Sequence, residues 1–156
     1  MNELAVAGPD QQREMGEALA LPDASAFFQS TFGPELGGTL AAEYTQQAAK
    51  LPTIGSFFEV NRAKGRTRIF IEVLLKADDE NANGFQQAAV RAMVRPIPLY
   101  TVNLVEPAKD IGASLWSFVH LDGKFRFIGK LKATKPDGTQ LDELSIKHLK
   151  EALEGK

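Results

Sequence analysis

The sequence predicts an α+β fold in which N-terminal helices pack on a curved antiparallel sheet. Three observations carry that expectation. Apolar residues recur at helical spacing up to residue 65, the runs 66–76 and 99–106 alternate apolar and polar residues, and two further alternating runs flank Asp122-Gly123. A period near 3.6 marks a helix with one buried face, and a period of two marks a strand.

The elements follow in chain order. Asp10 can cap a short helix carrying Met15, Ala18 and Leu19, and residues 1–21 are expected to be loosely attached to a single domain spanning 1–156. Pro22-Asp23 opens a helix with Phe27, Phe28 and Phe32 at helical spacing, and Gly33-Pro34 ends it. Pro34 suits the first turn of a longer helix with Leu36, Leu40, Tyr44, Ala48 and Leu51 along one stripe. Gly37-Gly38 weakens that helix or lets another segment approach its backbone. Pro52 redirects the path into a helical patch of Ile54, Phe57 and Phe58 that ends near Gly65.

Period two begins at Arg66. Thr67, Ile69, Ile71, Val73 and Leu75 form one apolar strand face, expected to turn inward. The next helix carries Phe85, Ala88, Ala89, Ala92 and Met93, with Asn83 and Gln86 spaced as a capping box. Arg91 and Arg95 sit toward its negative end, and Pro96 and Pro98 stop it. Residues 99–106 are the second strand. A turn at 135–139 and a terminal helix capped by Asp142, with Ile146, Leu149 and Leu153, complete the reading.

The stretch SLWSFVHLDGKFRFIGKLK, residues 114–132, is the clearest hairpin. Asp-Gly suits a type I′ turn, which needs positive φ at both central residues. A two-residue loop sets Phe118 against Phe127, His120 against Phe125 and Trp116 against Gly129. That face collects Trp116, Phe118, Phe125, Phe127 and His120. Leu99, Thr101, Val105, Leu115, Val119 and Ile128 fall on the other face, an apolar surface expected to pair two copies as a homodimer.

Composition removes several function classes. A chain of 156 residues with 44% hydrophobic and 24% charged residues is globular and large enough to bury a core unaided. It has no cysteine, which removes disulfides, thiolate metal sites and cysteine nucleophiles. A net charge of −2 argues against nucleic-acid binding. No apolar run approaches the ~18 residues of a membrane span. No signal peptide is visible, so the expected location is the cytoplasm, or outside the cell with a leader already removed.

Motif by motif, the chemistry is sparse. DENANG, residues 79–84, matches half of an EF-hand loop, but its twelfth position is Val90 where a bidentate Glu belongs, so it reads as a capping loop. His120 and His148 are far apart and lack partners, and no metal or cofactor site is expected. There is no Gly-x-Ser-x-Gly elbow, and Gly33–Gly38 lacks the Lys-Ser/Thr of a phosphate loop. Lys124, Arg126, Lys130 and Lys132 line one face of the last strand, either as charges that resist edge pairing or as an anion-binding stripe.

Helices followed by an antiparallel sheet that ends in Trp116, Phe118, Asp122, Gly123, Phe125, Arg126 and Phe127 resemble the nuclear-transport-factor-2-like superfamily, which includes SnoaL-like proteins. The resemblance covers about 35 residues and implies a cystatin-like cone around a pocket, with dimerisation through the sheet. It departs in the extra terminal helix and in offering no aspartate at a catalytic position. Three functional readings follow. The first is a non-catalytic module binding a small, flat, apolar ligand or another protein, its pocket formed by Trp116, Phe118, His120, Tyr100 and Tyr44. The second is a cofactor-free isomerase or cyclase with His120 as the catalytic group. The third is an assembly module with a filled core.

Overall fold

A computed structural model describes residues 7–109 and 111–134. The expected turn at 135–139, the terminal helix and His148 lie outside the described residues. The helices are α1 (Pro9–Glu17), α2 (Ala24–Phe32), α3 (Pro34–Ala48), α4 (Gly55–Ala63) and α5 (Gly84–Ala92), with 3₁₀ turns at Leu51–Thr53 and Lys132–Thr134. The strands are β1 (Arg68–Leu74), β2 (Leu99–Val105), β3 (Gly112–Leu121) and β4 (Lys124–Phe127), joined in one antiparallel sheet of order β1-β2-β3-β4. The α+β class stands as expected.

Local chemistry accounts for most boundaries. The Asp23 carboxylate accepts the Ala26 N–H at 3.0 Å and starts α2. Gly33, at φ 87°, turns the chain so that Pro34 opens α3. Gly37 lets α3 lie against α2, since a Cβ there would sit 2.5 Å from Gln29 Cα and the Phe28 carbonyl oxygen. Asn83 and Gln86 form the full capping box at α5. Asp122 and Gly123 both have positive φ, as the hairpin turn requires.

One core cluster joins the helices to the sheet, with Phe28, Phe58, Phe118, Leu40, Leu99 and Val119 almost wholly enclosed. Phe118 faces Phe127 and His120 faces Phe125, as the turn predicts. Trp116 does not face Gly129. It pairs with Thr101 of β2, while Tyr100 pairs with Phe118, so Ser117 is the extra residue of a bulge. The bulge puts Trp116 on the opposite face from Phe118. Buried Ser117 also accepts from Ile128 N–H and donates its N–H to the Gly129 carbonyl. Gly129, at φ 80°, turns the chain away from β3, and the space beside it is taken by Gln47.

Burial on the two faces also differs from expectation. Ile71 and Val73 are 42% and 48% exposed, so the outer part of the β1 face is uncovered. Leu99, Val119 and Ile128, assigned to an outward dimer surface, are buried within the single chain. The reason is α5, which lies over the face carrying Thr101 and Ser117: Gln86 Nε2 donates to both hydroxyls at 2.8 and 3.2 Å. Nor is the described part of residues 1–21 loose. The Leu19 carbonyl accepts the Phe127 N–H at 2.8 Å, and the Arg126 guanidinium donates to the Ala18 and Ala20 carbonyls. Arg126 is thereby a tie to the segment after α1 rather than part of a free cationic stripe.

Candidate functional site

β3 has ten residues and β4 only four, so among the described residues the half of β3 before Ser117 has no strand on the β4 side. A cleft of about 520 Å³ occupies that gap. Its apolar lining is Leu51, Ile54, Leu115, Trp116 and Phe127. Its charged lining is Lys50, Lys130, Lys132 and Glu43, with the amides of Gln46 and Gln47 and the hydroxyl of Thr53 between them.

The rim is held by α3. Glu43 and Gln47 stand one turn apart, and Gln47 Nε2 donates to Glu43 Oε1 at 3.0 Å. Gln47 Oε1 accepts the Lys130 N–H at 2.9 Å, while the Glu43 carboxylate accepts the N–H groups of Lys132 at 2.8 Å and Ala133 at 3.0 Å. Glu43 therefore neutralises the start of the second 3₁₀ turn, and the chain leaving β4 is pinned along α3. Lys130 and Lys132, two residues apart on this pinned stretch, both reach the cleft. Lys50 arrives from the end of α3. Among the described residues none of these three lysines is in an ion pair.

Trp116 forms part of the wall. Its ring stacks on Phe85 with centroids 5.8 Å apart, and Lys130 Nζ lies 5.8 Å from its centroid. An ammonium over an indole face is electrostatically favourable, so the aromatic wall and the cationic rim support one another.

The five residues expected to share a pocket are dispersed. Of them the cleft lining contains Trp116 alone. Phe118 is fully enclosed in the core. Tyr44 is buried, its hydroxyl accepting the Leu21 N–H at 2.8 Å, and burial raises its pKa against the opposing pull of that hydrogen bond and of Arg126. Tyr100 packs edge-on against Phe125 at 5.2 Å, and exposed His120 does the same from β3. The bulge is the reason: it parts Trp116 from the Phe118–His120 face. The anion-stripe reading of Lys130 and Lys132 did locate two of the cleft's cations. Lys50, Glu43 and Gln47 were not identified, although a Glu and a Gln four apart on a helix, opposite a glycine after a strand, are the traces they leave.

Among the described residues no group of three or more His, Asp and Glu side chains is placed to hold a metal ion, and no helix is long and apolar enough to cross a membrane. No protein-family model, curated protein or solved structure matches the chain.

Proposed function

We propose that the chain is a binding module whose cleft takes a small, flat, apolar molecule carrying an anionic group. The observation that carries this reading is the pairing of the Trp116, Phe127 and Leu115 wall with, among the described residues, three lysines set against one carboxylate. That carboxylate, Glu43, already accepts three N–H groups, which favours charge recognition over proton transfer at the rim. Apolar walls with a few placed polar groups suit retention of a small ligand. The superfamily resemblance supports a pocket-bearing sheet without assigning it a reaction.

Trp116 is the chain's one tryptophan, so its fluorescence reports the cleft directly. Naphthalene-2-sulfonate should quench that emission and bind about tenfold or more tighter than neutral naphthalene-2-methanol. Added salt should narrow the gap. A K130Q/K132Q double variant should lose most of the preference for the sulfonate while keeping the wild-type circular dichroism spectrum. Equal affinity for the two probes, or a preference unchanged in the folded double variant, overturns the reading.

A further inference from the structure

β1 is the outer strand of the sheet, and among the described residues no strand pairs with its free edge. It runs seven residues without a proline, and its register with β2 is unbroken. Natural edge strands are normally shortened, bulged, covered or interrupted, because a bare edge templates further pairing. Here Phe70, Ile71, Val73 and the adjoining Leu75 are 37%, 42%, 48% and 66% exposed. They are four of the seven exposed large hydrophobic residues among the described residues, so this apolar exposure is concentrated on one strand.

The direction of the unpaired backbone groups follows from the ladder. Glu106 N–H donates to the Ile111 carbonyl at 2.8 Å, which makes 106 and 111 a hydrogen-bonded pair at the mouth of β2–β3. Hydrogen-bonded positions alternate in antiparallel strands, so even-numbered residues of β2 address β3 and odd-numbered ones address β1. Through the register Phe70↔Asn103 and Glu72↔Thr101, the even residues of β1 are then engaged with β2. The N–H and C=O groups of Ile69, Ile71 and Val73 point to the free edge.

We infer that β1 pairs antiparallel with β1 of a second copy of this chain, about a twofold axis at Phe70, to make an eight-stranded sheet. In this register Ile69 and Ile71 exchange hydrogen bonds with Ile71 and Ile69 of the partner subunit, using the groups left free. Phe70 meets its own copy in a non-hydrogen-bonded pair, where side chains come closest. Arg68 meets Glu72 of the partner subunit, and the twofold repeats that opposite-charge pair. Neighbouring registers lose this match: an axis at Ile71 sets Phe70 against Glu72, and an axis at Glu72 sets two carboxylates together. Arg68 is exposed and, among the described residues, in no ion pair; its guanidinium lies 5.8 Å from the Phe70 centroid, on the face where the partner carboxylate arrives. The inference does not depend on the ligand reading, since the edge and the cleft share no residue.

The chain has no cysteine, so Phe70→Cys introduces a lone thiol at the single position that faces itself. Mild oxidation should link Phe70→Cys into a covalent dimer about tenfold or more faster than Ile71→Cys, whose copies sit diagonally across the axis. Sedimentation of the unmodified protein at high micromolar concentration should show dimer, and Arg68→Glu should raise its dissociation constant about tenfold or more. A monomer throughout, equal cross-linking at the two positions, or an Arg68→Glu protein that dimerises like wild type overturns the inference. If Phe70→Cys does not fold, the Arg68→Glu comparison decides.

Discussion

Tyr44 shows how one atom can join two parts of the chain. Its hydroxyl, carried by α3, accepts the Leu21 N–H from the segment after α1, in a buried setting that also contains Phe28 at 5.6 Å. Tyr44→Phe keeps the ring and leaves that N–H without its partner, which should cost about 1–2 kcal/mol near neutral pH. The pH dependence has a definite sign. Burial raises the phenol above its usual 10.0, so the neutral form is favoured in the folded state. The stability gained this way is fully present below the unfolded pKa and is lost as pH rises through the raised folded value. Wild type should therefore lose stability under alkaline conditions by a step that Tyr44→Phe lacks. Paired denaturant titrations at neutral and strongly alkaline pH measure the difference. Equal slopes with pH for the two proteins would show that the phenol does not couple to folding.

β3 divides at its bulge into two halves with different duties. Before Ser117 the strand faces the cleft on its β4 side; after it, Phe118 and Val119 are enclosed by the core. Phe118→Ala should cost about 3–5 kcal/mol, the range for a large buried ring. Trp116→Ala should cost clearly less, because the indole is half-buried and stands over an opening, yet it should abolish the fluorescence response and most of the binding. Chemical denaturation of both variants tests the contrast, and equal losses would place Trp116 in the core. This bulge also marks where the sequence stops being readable. The hairpin turn, the capping box and the α2–α3 break are set by residues within a few positions of each other, so pattern and propensity reveal them. At the bulge Gln86 reaches Thr101 and Ser117 from another element, a contact that no local pattern reveals, and period-two counting carried across it assigns Trp116 to the wrong face. The cleft was legible only in part for the same reason: Lys130 and Lys132 announce themselves, whereas Glu43 and Gln47 matter through tertiary contacts alone.

Across the whole molecule, the two edges of the sheet are treated differently. Among the described residues β1 has no strand on its outer side, whereas β4 is covered by the stretch from Ala18 to Leu21 through the Leu19–Phe127 hydrogen bond and the Arg126 guanidinium. Arg126→Ala removes a charged donor from two carbonyls and should cost about 1.5–3 kcal/mol. Its first visible effect should be faster amide exchange at Phe127, with the β1–β2 amides unchanged; uniform acceleration over the sheet would instead mean that the whole fold, not one seam, had loosened. That seam has a consequence for the order of events on the ribosome. Residues 18 and 126 are 108 positions apart, so α1 and the stretch behind it emerge long before the strand they cover. During that interval the Leu19 carbonyl has no Phe127 to meet. The sheet must be laid down up to its last short strand before the early segment can be stitched to it, which makes this closure a late and long-range step in the birth of each molecule.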